Sequence, residues 1–191
     1  YITTIVLPHT GHVGGITFDG ENVWICHSNS NTLERISYEY ITKIAQDAPE
    51  YCIDASALSD EYRLKNTPSC ITCYGGRLWV ATHTSFFDSE MYSYSYDKKE
   101  DKLTAVSNYN LPSKVQGVAF DDNGSIYLST SYGRNNSSYL KVYSSLLSLD
   151  KKPNEPKVKV EMPPCSEEVA IADGTAVSYT HLRAHETELH L

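Results

Sequence analysis

The sequence predicts an all-β fold, a partial β-propeller of about three and a half four-stranded blades, and three observations carry that reading. First, one hairpin pattern recurs, clearest in Val115–Ser131 (VQGVAFDDNGSIYLSTS), where two alternating apolar runs flank a turn of acids, Asn and Gly. Second, taking Ile16, Ile71, Val118 and Val169 as equivalent gives spacings of 55, 47 and 51 residues, the length of a four-stranded blade. Third, Leu7-Pro8, Leu111-Pro112 and Met162-Pro163 precede hairpins in the same phase, and Leu64 holds that place without the Pro. A proline suits a chain crossing from an outer strand to the next inner one, because a crossing needs no ladder donor.

The elements follow in order. Tyr1–Leu7 reads as the end of an outer strand. The first blade has its hairpin at Ile16–Cys26 and a third strand near Leu33–Tyr38. Ile41, Ile44, Ala45 and Ala48 then fall at helical spacing, so Ile41–Asp47 is expected to be a short helix packed on the blade and ended before Pro49. The outer strand lies within Tyr51–Leu64.

In the second blade, Cys70–Cys73 and Leu78–Thr82 form the inner pair. Glu90–Tyr96 alternates at period two and Leu103–Tyr109 is outermost. Its tyrosine ladder, Tyr92, Tyr94 and Tyr96, offers a stacking platform on one reading and strand packing on the other, and the alternation favours packing. The third blade repeats the scheme with Ser138–Tyr143, an irregular segment through Pro156, and Lys157–Met162. Glu168–Gly174 starts a fourth.

The C-terminal residues Val177–Thr187 (VSYTHLRAHET) resemble, codon by codon, the translation of a transposon-type sequencing adapter. Residues 1–175 are therefore read as an incomplete propeller and 176–191 as a non-native tail, which is set aside. That removes His181, His185 and His190, which would otherwise suggest a metal site. It also moves the net charge from −8 to −7, with the loss of Arg183, Glu186 and Glu188. Propellers close with four to eight blades, so about half of a six- or seven-bladed ring is expected to lie outside this sequence.

A mildly acidic chain without charge runs gives no pointer to nucleic acid, and no apolar run is long enough to span a bilayer. Fifteen tyrosines and few charges suit an extracellular or cell-surface protein. The five cysteines, Cys26, Cys52, Cys70, Cys73 and Cys165, are odd in number and irregularly spaced, which is no disulfide framework. Cys70 and Cys73 lie three apart in a strand and point to opposite faces, so they are no redox or zinc half-site. Cys73 is expected in the core, at the position of Phe18, Phe120 and Ile171.

Function is expected on the rim. Residues at the start of the first strands and the end of the second strands open on one face of a propeller, and loops there build binding sites. The candidates are Ser69, Gln116 and Glu167 before first strands, with Glu168 one further in. His27, Ser28, Thr82, His83 and Ser131 follow second strands, and Arg134 sits in the third-blade loop. His9 and His12 lie in a crossing loop. No nucleophile elbow, Walker loop or dinucleotide fingerprint is present. The residues identify neither a catalytic group nor a cofactor.

The pattern GxxFDxxGxxYxxxS, in Gly117, Phe120, Asp121, Gly124, Tyr127 and Ser131, resembles propellers of the NHL, gluconolactonase-like and quinoprotein-dehydrogenase-like groups. The lactonase-like resemblance implies a divalent metal held in the channel, with Glu167 or Glu168 matching its Glu. The Gly-Pro after that Glu is absent here, as are Asn or Asp at equivalent strand starts. Two readings follow: a propeller that binds a small molecule, glycan or protein, and a metal-dependent lactonase or hydrolase.

Overall fold

The structure, a computed structural model, describes residues 4–8, 10–47, 52–54 and 59–180. Three four-stranded antiparallel sheets and a final hairpin succeed one another along the chain. The first sheet comprises β2 (Val13–Phe18), β3 (Asn22–His27), β4 (Thr32–Ser37) and β6 (Ser59–Arg63). The second holds β7 (Cys70–Tyr74), β8 (Arg77–Ala81), β9 (Ser89–Asp97) and β10 (Lys102–Leu111). The third holds β11 (Val115–Phe120), β12 (Ile126–Thr130), β13 (Ser138–Tyr143) and β14 (Val158–Met162). The hairpin is β15 (Ser166–Ala172) with β16 (Thr175–Thr180). This is the blade succession of a partial propeller.

Each hairpin turn has a chemical cause. Asp19 Oδ1 accepts the backbone N–H of Glu21 (2.8 Å) and Asn22 (2.7 Å), while its Oδ2 accepts Trp24 Nε1 from the second strand (2.6 Å). Asp121 plays the same part toward Asn123 (2.9 Å), Ser125 (2.8 Å) and the Tyr127 hydroxyl (3.3 Å). The recurring Asp therefore ties its turn to the aromatic residue that follows. The second sheet lacks that Asp. There Gly75 and Gly76 supply two successive positive φ angles, 58° and 69°, as a tight hairpin requires, and Trp79 Nε1 reaches the Tyr74 carbonyl (3.0 Å).

Alternation along the strands fills the space between sheets. Trp24, Cys26 and Leu33 of the first sheet meet Ile71, Leu78, Val80 and Tyr94 of the second. Trp79, Met91 and Leu111 of the second meet Val118, Phe120, Ile126 and Leu128 of the third. Cys70 and Cys73 do point to different layers, Cys70 into the second–third layer and Cys73 toward the first–second. Cys70 is the fully buried member and Cys73 is only half-buried. The tyrosine ladder packs between blades: Tyr94 is buried, donates to Asn66 Oδ1 (2.7 Å) and accepts Lys65 N–H (3.0 Å).

The inner strands approach one another closely, β2 on β7, β7 on β11 and β11 on β15. Glycine permits this. A Cβ on Gly14 would lie 2.5 Å from the Ser69 carbonyl oxygen, and one on Gly117 would lie 2.6 Å from Val169 N and 2.8 Å from Glu168 Cα.

Three elements differ from expectation. Thr4–Val6 (β1) is a strand, but it pairs in parallel with Cys52–Asp54 (β5) instead of completing a blade. Ile5 and Leu7 pack on Ile25 and Ile36, on the face of the first sheet turned away from the second. The insertion helix α1 spans Tyr38–Asp47, starting three residues earlier than the apolar spacing suggests, and touches that face through Ile41. The segment after β13 is not wholly irregular. Leu146–Lys151 forms α2, started by a reciprocal Ser145–Ser148 capping box and anchored by buried Leu149. His9 and His181, His185 and His190 lie outside the described residues, whereas Thr175–Thr180 pairs with β15.

Candidate functional site at the axis and rim

The inner strands converge on a cleft of about 340 Å³ at the axis. Its walls are Leu7, Val13, Ile16 and Ile25 with the backbone of Gly14 and Gly15, and its polar groups are His12, Gln116, Glu167 and Glu168. Three blades contribute because Gly15, Gly117 and Glu168 hold one register position. Glycine at the first of these positions leaves room for the carboxyl carried by the final hairpin: Glu168 Oε2 lies 3.1 Å from the place of a Cβ on Gly15.

The Glu168 carboxyl is the chemical focus of the cleft. Burial pushes its pKa up to about 8, backbone N–H groups of Val169 and Val118 pull the other way, and Glu167 adds repulsion. Its Oε1 is shielded from solvent and has no hydrogen-bond partner. A carboxyl of this kind holds its proton at neutral pH and can donate. Cys26 and Cys70 have pKa values raised well above the usual thiol range by burial and then by the charge of Glu168, so these thiols are inert packing groups.

A second recess, about 290 Å³, adjoins the first through His12 and is lined by Thr10, Asn29 and His27. Beneath it His27 Nε2 and Glu34 Oε2 share a 2.6 Å hydrogen bond with both residues buried. Glu34 was invisible as a site residue in the sequence, where it is one polar position in an alternating strand. The only available signal was a charged residue between Leu33 and Ile36.

Most rim candidates are engaged in bonds of the fold itself, some within one blade and some between neighbouring blades. Ser28 Oγ donates to Pro68 O (2.5 Å). Ser69 Oγ accepts His83 N–H (2.9 Å), and His83 Nδ1 donates to Val115 O (3.2 Å). Thr82 Oγ1 donates to Thr67 O (2.9 Å), and buried Ser131 accepts Ser138 Oγ (2.9 Å). Arg134 is exposed in its loop. Of the candidates, the structure brings Gln116 and Glu167 together in the axial cleft, with Glu168, and sets His27 in the adjoining recess. Among the described residues no group of three or more His, Cys, Asp or Glu side chains could hold a metal ion.

No protein-family model matches the sequence, and no curated protein matches it. Solved structures do match in fold. Myxococcus xanthus glutaminyl cyclase is similar at 9% identity and a TM-score of 0.53, over 87% of this chain and 66% of that one. A chain of the nidogen/laminin complex is similar at 11% identity and a TM-score of 0.52, over 91% and 57%. Kuenenia stuttgartiensis hydrazine synthase matches at 10% identity and a TM-score of 0.49, over 83% and 39%. The chain thus spans from about two fifths to two thirds of these relatives' lengths. At such identities the likeness to the first two shows the β-propeller fold alone.

Proposed function

We propose that this chain is the binding part of a propeller that takes a small molecule or glycan, or a protruding group of a protein, in its axial cleft. The observation that carries the reading is the Glu168 carboxyl, delivered into a cleft built by three blades and left with an unpartnered oxygen. Unpaired buried polar groups are costly, and because Oε1 is sealed from solvent a ligand in the cleft meets this carboxyl through Oε2, on the Gly15 side. Gln116 and Glu167 give further polar contacts, and Leu7, Val13 and Ile16 give an apolar wall. The tyrosine-rich, charge-poor composition supports an extracellular or surface setting. Residues 176–191 are taken as adapter-derived and outside the functional unit. No described helix is long and apolar enough to cross a membrane.

The hydrolase reading is favoured by one observation, the placement of that same Glu at an inner strand near the axis. It requires further metal ligands beyond those described. Calorimetry with a panel of sugars, sugar lactones and amines, on the native chain and on Glu168→Gln and Gln116→Ala, separates the readings. Binding that both substitutions weaken at least about tenfold, the value of one lost hydrogen bond to a charged or strained partner, supports a binding cleft. A stoichiometric divalent ion lost in Glu168→Gln, with lactone turnover, replaces it by the hydrolase. Binding indifferent to both substitutions places the ligand elsewhere and overturns the proposal.

A further inference from the structure

Two rim loops outside the axial cleft build a surface of a different kind. In the loop of residues 82–88, Phe86 and Phe87 are 75% and 80% exposed, in sequence neighbours that have no polar handle of their own. Phe86 meets Tyr132 of the next blade's loop edge to face, with ring centroids 5.8 Å apart, and Tyr132 is itself 38% exposed. Adjacent large apolar side chains held in water cost free energy and mark a contact surface.

The loops are braced. Thr82 N–H donates to Glu90 O (3.0 Å), Thr84 Oγ1 donates to the Phe87 carbonyl, and Asn136 Nδ2 donates to the Tyr132 carbonyl (2.8 Å). Lys114 joins them: its N–H donates to Thr84 O (2.7 Å) and its carbonyl accepts Ser131 N–H (2.9 Å). Lys114 holds a left-handed backbone, φ +69°, which a lysine adopts only under constraint. That backbone places its ammonium 5.0 Å from the Tyr132 ring centre.

The charge around these rings opposes that of the chain. Arg134 is exposed two residues after Tyr132. Behind Lys114, Lys141 and Lys159 face each other across β13 and β14. Lys141 is held below the usual ammonium range by burial and then by Lys159 and Lys114, with Asp88 the acid that counters them. A chain of net charge −8 therefore gathers cations beside its two most exposed phenylalanines.

We infer that this edge docks on a lipid surface bearing anionic headgroups, with Phe86 and Phe87 entering the interface and Lys114 and Arg134 meeting the phosphates. Phenylalanine supplies apolar area at the headgroup boundary, and each nearby cation adds attraction to an anionic leaflet. A glycan platform is the weaker fit, because the Phe86 and Phe87 rings are mostly exposed and carry no hydrogen-bonding group for sugar hydroxyls. This surface is independent of the axial cleft, and it calls for no membrane-spanning segment.

The test is sedimentation of the chain with vesicles of phosphatidylcholine alone or mixed with an equal share of phosphatidylglycerol. Binding to the mixed vesicles only is expected. The double change Phe86→Ser with Phe87→Ser should weaken it by about tenfold or more. Lys114→Gln with Arg134→Gln should weaken it by about tenfold, as should high salt. A Phe87→Trp reporter should shift its emission to the blue on adding mixed vesicles, which reads insertion without relying on a loss. No vesicle binding, or binding equal in the serine pair, overturns the proposal. Retention on heparin that is lost in the glutamine pair and kept in the serine pair would assign the edge to a sulfated glycan.

Discussion

Val118 and Phe120 in the third sheet hold the same register positions as Ile16 and Phe18 in the first, and their fates differ. Val118 is fully buried and Phe120 is 9% exposed, covered by Trp79 and by Tyr74, whose ring stacks on Phe120 at 4.6 Å. Ile16 and Phe18 are 62% and 48% exposed. On their side of the first sheet lie β1, α1 and a small cluster around Ile25 and Ile36, with no four-stranded neighbour among the described residues. Burial of an inner-strand residue in this fold is thus conferred by the preceding sheet. The pattern within a strand selects which residues face a seam, and the neighbour decides whether the seam is dry.

The comparison can be broken most severely at the glycine that closes a seam. Gly117→Ala would press a methyl group into the backbone of Glu168 and Val169. It should cost about 5 kcal/mol or more in urea unfolding, above the usual range for overpacking because the atoms that must give way are backbone. Next come the paired phenylalanines. Phe120→Ala should cost about 3–5 kcal/mol, whereas Phe18→Ala should cost under about 1 kcal/mol. Equal costs would show that the two seams are alike in solution.

Glu168 gives a subtler difference, read through pH. Its folded pKa is raised from 4.5 to about 8. The native state therefore keeps a proton that the unfolded chain releases, and the resulting stability is complete below about pH 4.5. It is lost as pH rises toward 8, by up to about 1.4 kcal/mol per pH unit. Glu168→Gln should flatten that decline, visible in unfolding midpoints measured between pH 5 and 9. An unchanged slope would mean that the carboxyl is solvated. The smallest effect is expected at a rim stitch: Ser28→Ala removes one hydrogen bond to Pro68 O and should cost about 1 kcal/mol.

Much of the fold was legible because it is written in period-two alternation and repeated turns. The third strand Ser138–Tyr143 coincides with β13, and the ends of β10 and β14 fall at the Leu-Pro and Met-Pro marks. The parallel pairing of β1 with β5 was not legible, since three-residue strands carry no alternation and their pairing depends on which face stands open. The site was read less well for a related reason. Rim residues are polar whether they meet a ligand or a neighbouring carbonyl, and only coordinates distinguish Gln116, which lines the cleft, from Ser69, which holds His83 N–H. Phe86 and Lys114 lie 28 positions apart, so the aromatic and basic edge exists only once two blades are set side by side.

The stitches between blades also bear on how the chain is made. His83 to Val115, Ser28 to Pro68 and Thr17 to Cys73 bridge 32, 40 and 56 residues. Every one joins a blade to the next, so no bond of this set waits for a distant part of the sequence. A ribosome releasing this chain delivers each blade's partners within about one repeat. Assembly can advance from the N-terminal side, blade by blade, each new sheet packing on the one made before it.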